Sequence, residues 1–200
     1  QNNEPKPFRR HWGEGAEVFV VDREGWDKGM PMPYPREAPP VAFGVVQGAL
    51  GQRWLDVVIT GQDSHAGPTP METRKDALLA ASRLVLEVNR IATTFPDSAR
   101  GTVGSMQVKP NSRNVVPGEV RMTVDLRNAK DATLGAMVDE LRRRAGAIAA
   151  ECRVAIDLRE VVYFPPSEFA PELVASVRSA AKALGYSHRD IVSGAAHDAV

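Results

Sequence analysis

An unbroken alternation of polar and apolar residues runs through Glu119-Val120-Arg121-Met122-Thr123-Val124-Asp125-Leu126-Arg127. Successive side chains of a β-strand point to opposite faces of the sheet, so this segment places its apolar residues on one face and its polar residues on the other. The pattern is typical of a half-buried strand. It predicts a sheet with one face covered by other elements and one face that presents polar side chains.

The sequence on both sides of this segment indicates three more strands and two helices. Strand-like patterns occupy residues 53–60, 102–109 and the segment after residue 153. Helical spacing of apolar residues predicts one helix capped by Thr73 and ending near Phe95, and a second opening at Asp131. The resulting order over residues 53–163 is βαββαβ, the split-βαβ arrangement. The predicted fold class is α+β, a ferredoxin-like domain with both helices on one face of the sheet.

The segments at the two ends differ from this unit. Residues 1–40 contain seven of the fifteen prolines and are predicted to form a Pro-rich arm with no assigned role. Residues 41–52 are predicted to contain a strand, at 41–50, and to connect the unit to another domain. Residues 164–200 are predicted to return to that domain, through a third helix and a Gly-rich loop that carries His197. We expect the flanking segments to be pieces of an α/β catalytic domain that is incomplete here.

Composition limits the classes of partner. Lys+Arg and Asp+Glu each total 25, so the formal net charge is zero and no basic field for nucleic acid is present. No apolar segment approaches the roughly 20 residues that a membrane-spanning helix needs. The single cysteine, Cys152, excludes an internal disulfide and fits a reducing compartment. We therefore expect a cytoplasmic protein without nucleic-acid or membrane partners, in which Cys152 packs in the core.

Three polar residues are candidates for a binding site. His65 lies in the loop Gly61-Gln62-Asp63-Ser64-His65-Ala66-Gly67-Pro68-Thr69-Pro70-Met71, and Asn114 lies in the loop before the alternating strand. Arg127, at the end of that strand, has a planar fork suited to a carboxylate. An asparagine amide both donates and accepts, and a histidine can stabilise an oxygen that becomes negative. The topology predicts that the three come together, but spacing leaves open whether their side chains converge.

Four segments of the chain, in the same order, resemble a known group of hydrolases. Residues 61–78, 110–118, 125–128 and 193–199 are similar to the amidase/hydantoinase/carbamoylase branch of the dinuclear zinc aminoacylase and carboxypeptidase clan. That branch includes N-carbamoyl-L-amino acid hydrolases, β-ureidopropionases and allantoate amidohydrolases, and the resemblance covers about residues 42–200. In this branch a βαββαβ unit is a lid and dimerisation domain inserted into a zinc-binding catalytic domain.

The resemblance implies a role for each candidate residue. His65 would be catalytic and would approach the reacting carbonyl of a substrate held mainly by the partner subunit. Asn114 and Arg127 would bind the substrate carboxylate, and His197 would lie near the substrate in the catalytic domain. The resemblance further implies zinc or manganese as cofactor, a carbamoyl or ureido amino acid as substrate, and a homodimer formed through residues 53–163.

The metal ligands of this branch have no secure counterpart in the sequence. His11-Trp12-Gly13-Glu14-Gly15 matches one ligand motif only in part, and His188 is predicted to lie at the surface. We therefore assign no metal ligand. One alternative is a non-catalytic dimerisation remnant of such an enzyme. Another is a ferredoxin-like enzyme of the acylphosphatase kind, which is disfavoured because Pro68 and Pro70 remove two amides from the loop that would cradle phosphate.

Overall fold

The computed structural model describes residues 43–195. Within that range the chain divides into two compact units, Leu50–Ser167 and a smaller one made of residues 43–49 and 168–195. A short 3₁₀ helix spans Met71–Thr73. The other elements, in chain order, are β1 (Phe43–Ala49), β2 (Gly51–Thr60), β3 (Ser64–His65), α1 (Ala77–Thr94), β4 (Arg100–Lys109), β5 (Val115–Val116), β6 (Glu119–Asn128), α2 (Asp131–Cys152), β7 (Ala155–Phe164), β8 (Ser167–Glu168), α3 (Pro171–Ala183) and β9 (His188–Ser193).

The larger unit is built on a four-stranded antiparallel sheet in the order β4-β6-β2-β7. Strand β6, the alternating segment of the sequence, pairs with β2 from Thr60 opposite Glu119 to Gln52 opposite Arg127. With α1 after β2 and α2 after β6, the long elements follow the predicted βαββαβ order. The ferredoxin-like α+β class is confirmed. Strands β4 and β7 form the two edges of the sheet.

Helices α1 and α2 cover one face of this sheet and enclose its core. The apolar residues of β6 are buried under the helices, while its polar residues lie on the opposite, open face. Fully burying one such apolar side chain contributes about 1.5–3 kcal/mol, so this core dominates the stability of the unit. The largest fully buried side chains of the core are Leu55, Val57, Ile59, Leu84, Val88, Ile91, Val120, Leu126, Leu134, Met137 and Leu141.

Helix α1 begins later than the sequence predicted. Asp76, not Thr73, is its N-cap, and Asp76 Oδ1 accepts hydrogen bonds from the N–H groups of Leu78 at 2.9 Å and Leu79 at 3.0 Å. The prediction of Thr73 was wrong because the Thr73 hydroxyl donates to the carbonyl of Pro70 within the 3₁₀ turn instead. A carboxylate satisfies the free N–H groups of a first helical turn and is favoured by the helix dipole.

The smaller unit has its own three-stranded sheet, in the order β8-β1-β9. Strand β1 runs parallel to β9, from Phe43 opposite His188 to Ala49 opposite Ser193, and α3 packs on both strands. The sequence indicated β1 and α3 but not β9, because β9 opens on three polar residues and only its pairing with β1 defines it. His188, predicted at the surface, is half-buried at the start of β9.

Two smaller predictions bear on burial and on membranes. Cys152 is buried at the end of α2, which confirms its assignment to the core. In the described range, no helix is long and apolar enough to cross a membrane.

Candidate functional site

His65 and Asn114 lie side by side at one end of the four-stranded sheet. Strand β3, which contains His65, pairs antiparallel with β5, so that Ser64 lies opposite Val116 and His65 opposite Val115. The N–H of Ala66 donates to the carbonyl of Asn114 at 2.8 Å. The loop after β2 is thus hydrogen-bonded to the loop before β6, and the fold brings two of the predicted site residues together.

The exposed ring of His65 has a defined tautomer. Its Nδ1 accepts a hydrogen bond from the backbone N–H of Gly67 at 3.1 Å. A backbone amide can only donate, so Nδ1 must carry no proton, and in the neutral ring the proton is on Nε2. His65 therefore offers Nε2–H as a hydrogen-bond donor.

Asn114 has one half of its amide engaged. Its Oδ1 accepts a hydrogen bond from the Ser112 hydroxyl at 3.1 Å. In the part of the chain that the structure describes, the NH₂ group of Asn114 has no hydrogen-bond partner, and the residue is exposed. The same end of the sheet therefore carries two outward hydrogen-bond donors, on His65 and on Asn114.

Arg127 does not join them within one chain. It lies opposite Gln52 near the start of β2, whereas His65 follows Thr60 at the end of that strand. Glu119, opposite Thr60, is separated from Arg127 by eight positions along β6, about 26 Å at roughly 3.3 Å per residue. The expectation that the three residues come together is therefore met for His65 and Asn114 only, and Arg127 is at the opposite end of the sheet.

Arg127 is already paired with a carboxylate on the open face. Its Nη2 donates to Asp125 Oδ2 at 2.7 Å, and its Nε donates to Asp125 Oδ1 at 3.1 Å. Both side chains are half-buried. This two-point geometry is the one in which arginine binds carboxylates most strongly. The guanidinium is thus oriented for a carboxylate, and a substrate would have to share it with Asp125 or displace Asp125.

Glu119 is a further ionisable group at the His65 end. It contacts Arg121 at 2.8 Å and Lys109 at 3.0 Å. Hydrogen bonds from Arg121 and then Lys109 lower the pKa of Glu119 from its ordinary value of 4.5 to about 2. Near neutral pH this carboxylate is ionised and committed to its two cations, which makes it a poor proton donor for chemistry at the loop.

Two residues that follow His65 in the chain, Arg74 and Asp76, were given no role by the sequence. Arg74 hydrogen-bonds the loop that carries His65, and Asp76 caps α1 directly after it. Both belong to residues 61–78, which carry the family resemblance, and that membership was the one signal of a role.

A metal centre does not fit the described residues. His197, His11 and the Pro-rich arm lie outside the range 43–195. Inside that range, no group of three or more His, Cys, Asp or Glu side chains is close enough to hold a metal ion. The zinc or manganese implied by the resemblance therefore finds no ligand set among these residues.

The antiparallel sheet, the two covering helices and the polar loops at its ends define residues 50–167 as a ferredoxin-like α+β domain. Residues 48–148, half of the chain, match the model of the peptidase dimerisation domain. The chain belongs to that family.

Two curated relatives of the chain are amidohydrolases. It is 42% identical over 164 residues to the N-carbamoyl-L-amino-acid amidohydrolase of Paenarthrobacter aurescens, covering 82% of this chain and 40% of the relative. It is 34% identical over 158 residues to the allantoate amidohydrolase of Escherichia coli K12, covering 79% of this chain and 38% of the relative. A solved structure of a hydantoinase/carbamoylase-family amidase from Burkholderia multivorans matches with TM-score 0.76 and 52% identity, covering 78% of this chain and 38% of that one. The chain spans about two fifths of the length of the curated relatives it matches.

Proposed function

We propose that this chain is part of a metal-dependent amidohydrolase that hydrolyses N-carbamoyl amino acids or related ureido compounds. It contributes substrate-carboxylate recognition and dimerisation. The observation that carries the proposal is the β3–β5 pair, which puts His65 opposite Val115, the neighbour of Asn114, and leaves a hydrogen-bond donor on His65 and on Asn114. The names of the relatives, N-carbamoyl-L-amino-acid amidohydrolase and allantoate amidohydrolase, support this class of substrate.

His65 is the catalytic residue in this proposal. Its Nε2–H donates to the carbonyl oxygen that becomes negative when water attacks the urea-like carbon of the substrate. A preorganised donor of this kind typically contributes about 10²–10³ to kcat. Zinc or manganese is the cofactor expected for a hydrolase of this class, and the described residues form no ligand cluster for it.

Asn114 and Arg127 are the carboxylate-binding residues, and His197 is a further substrate contact. The roughly 26 Å between the two ends of β6 exceeds the length of a carbamoyl amino acid, so one chain cannot hold a single substrate at both ends. We therefore infer that each substrate site combines His65 and Asn114 of one subunit with Arg127 of the other subunit.

A two-fold dimer through β4 resolves this separation. Strand β4 is an edge strand, with the Lys109 end near Asn114 and the Arg100 end opposite Arg127. Two copies that pair antiparallel across this edge put the Lys109 end of one subunit beside the Arg100 end of the other. His65 and Asn114 then lie on the same side as the partner subunit's Arg127.

Helix α1, which packs on β4, offers an exposed apolar side chain to the same interface. Helix α1 packs on β4 and exposes Leu86, whose relative exposure is 69%. The other edge, β7, is partly occupied, because Arg142 donates to the carbonyl of Leu158 at 3.2 Å. An edge strand with unpaired backbone groups is a ready template for pairing with a second copy. The homodimer of residues 53–163 is therefore assigned to the β4 edge and helix α1.

The chain combines one lid domain with parts of a second domain. Residues 53–163 act as the lid and dimerisation domain, and the compact unit Leu50–Ser167 supports these bounds. Residues 41–52 connect it to a second domain, residues 164–200 return to that domain, and the location is the cytoplasm, in line with the single Cys152.

The alternative is a non-catalytic dimerisation module derived from such an enzyme. The match of residues 48–148 to the peptidase dimerisation domain is the observation that supports it. Incubation with zinc, followed by metal analysis and an ammonia assay on N-carbamoyl-L-alanine, separates the two. Bound zinc together with ammonia release excludes the alternative. If zinc does not bind and no ammonia is released, this chain alone does not catalyse the reaction.

The experiment that tests carboxylate recognition is a titration of the dimeric chain with N-carbamoyl-L-alanine. Arg127→Ala should weaken binding about 10- to 100-fold, since it removes charge-assisted hydrogen bonds. Arg121→Ala is the matched control, because Arg121 is on the same strand and face and pairs with Glu119. Unchanged affinity of Arg127→Ala in a dimeric sample would contradict the assigned role.

A further inference from the structure

The side chain of Arg74 makes three hydrogen bonds to the loop that follows His65. Its Nη2 donates to the carbonyl of Ala66 at 2.7 Å and to the carbonyl of Thr69 at 3.0 Å. Its Nε also donates to the carbonyl of Thr69, at 3.1 Å. The guanidinium is half-buried and acts as a fork that spans both ends of the loop.

This loop is poor in backbone donors of its own. Pro68 and Pro70 have no N–H group, so a loop of residues 66–70 cannot be closed by an ordinary set of backbone hydrogen bonds. The N–H of Ala66 is used on the carbonyl of Asn114, and the N–H of Thr69 makes a longer bond of 3.3 Å to the carbonyl of His65. The five-donor fork of an arginine is suited to binding two carbonyls at once.

The position of Arg74 is itself set by the fold. Its own carbonyl accepts a hydrogen bond from Arg153 Nη2 at 3.0 Å, at the end of α2. Two residues later, Asp76 caps α1. The backbone of Arg74 is thus held between the start of one core helix and the end of the other, and its side chain transmits that rigidity to the loop.

We propose that Arg74 is a positioning residue for His65. The carbonyls that it holds, Ala66 and Thr69, flank Gly67, whose N–H fixes Nδ1 of His65 as an acceptor. By holding the loop, Arg74 keeps Nε2 as the protonated nitrogen and orients it as a donor. The consequence for catalysis rests on the proposed function, while the positioning itself does not.

The test uses the ¹⁵N-labelled chain without substrate or metal. In the wild type, hydrogen exchange at the Gly67 amide should be slowed, and the ring-nitrogen shifts of His65 at alkaline pH should indicate an Nε2–H tautomer with Nδ1 as acceptor. Arg74→Gln should speed exchange at Gly67 about tenfold or more and shift the Nδ1 resonance toward that of a free imidazole. Arg74→Lys, which keeps one charged donor, should lie between the two.

Arg83→Ala is the matched control. Arg83 pairs with Glu151 on the surface of the two helices, so its removal deletes a guanidinium without touching the loop. Exchange at the amides of β6 reports whether each variant is folded. If Arg74→Gln does not fold, the comparison with the wild type is made with Arg74→Lys. Unchanged Gly67 exchange and unchanged His65 shifts in a folded Arg74 variant would overturn the positioning role. Failure of the proposed function has a different signature, the absence of N-carbamoyl-L-alanine binding by the wild-type chain while Gly67 is still protected.

Discussion

Asp63 and Gly118 are in direct contact across the two loops of the candidate site. Asp63 Oδ1 accepts a hydrogen bond from the N–H of Gly118 at 2.6 Å, and the carbonyl of Gly118 accepts one from the N–H of Gly61 at 2.7 Å. A Cβ atom on Gly118 would lie 2.7 Å from the backbone nitrogen of Asp63, closer than real Cβ contacts. Glycine at this position therefore allows β3 and β5 to pair.

Gly118→Ala should destabilise the chain by about 1–3 kcal/mol, because the backbone of Asp63 cannot move without breaking the pair. Urea denaturation measures the loss. The matched control is Gly135→Ala in α2, where an added Cβ meets nothing within 4 Å. That substitution should stabilise by about 0.5–1 kcal/mol through helix propensity. A Gly118→Ala variant as stable as the wild type would show that the loops adapt to the extra atom.

Asp76→Ala should lower the free energy of unfolding by about 0.5–2 kcal/mol, because two N–H groups at the start of α1 lose their acceptor. Asp76→Ser should recover most of the loss, since serine also caps helices. Thr73→Ala, at the residue that the sequence predicted as the cap, should have the smaller effect in the same urea titration. A larger loss from Thr73→Ala would restore that prediction.

The acid limb of the stability curve should depend on Glu140. Hydrogen bonds with Arg143 and then Arg90 lower its pKa from 4.5 to about 2. A carboxyl group whose pKa falls on folding stabilises the native state above its unfolded pKa, and that contribution is lost as the pH drops from about 4.5 toward 2. Glu140→Gln should flatten this part of a stability-against-pH curve measured at low salt. High salt should reduce the difference between the two proteins, and identical curves at low salt would contradict the coupling.

Leu86→Glu should weaken self-association about tenfold or more, because a two-fold interface at α1 brings the new charges of both subunits into one apolar surface. Sedimentation equilibrium measures the dimer Kd. Leu184→Glu is the control, since Leu184 is equally exposed, at 71%, but lies in the smaller unit. If Leu184→Glu weakens the dimer and Leu86→Glu does not, the interface is not at the β4 edge.

Mixed dimers test whether the site is shared between subunits. Asn114→Ala and Arg127→Ala homodimers should each bind N-carbamoyl-L-alanine weakly, since every site in them lacks one of the two carboxylate-binding residues. Equal mixing of the two chains makes heterodimers with one intact site each, which should restore about a quarter of the wild-type sites. Calorimetry after exchange of subunits gives the number of sites. No recovery in a sample proven to contain heterodimers would place all ligands of one site in a single subunit.

The periodicity of β6 and of the two helices predicted the fold well, because side chains with period two or period 3.6 have a single face to bury. The start of α1 was misplaced, since Thr73 and Asp76 are both acceptable caps by type and only hydrogen bonding distinguishes them. Strand β9 was missed for a related reason. Its polar residues carry no pattern, and its partner β1 is more than a hundred positions away in the chain.

The candidate site was predictable in part. The sequence identified His65 and Asn114 as neighbours through the order of the strands, and the β3–β5 pair agrees with this. It also grouped Arg127 with them, although an antiparallel strand carries its last residue away from its first. No role was predicted for Arg74, because its partners are backbone carbonyls, and a carbonyl is present in every residue whatever its side chain.

By itself, the sequence determined the class of fold, the family and the residue types available at the two ends of the sheet. Burial periodicity and local motifs depend only on the types of residue and their order along the chain. Tertiary structure decided which of those residues share a site and how each is presented. It separates Arg127 from His65 by the length of a strand. It also selects the His65 tautomer with the proton on Nε2, because the Gly67 amide donates to Nδ1. Distances and donor directions depend on the path of the backbone in space, which no linear spacing specifies.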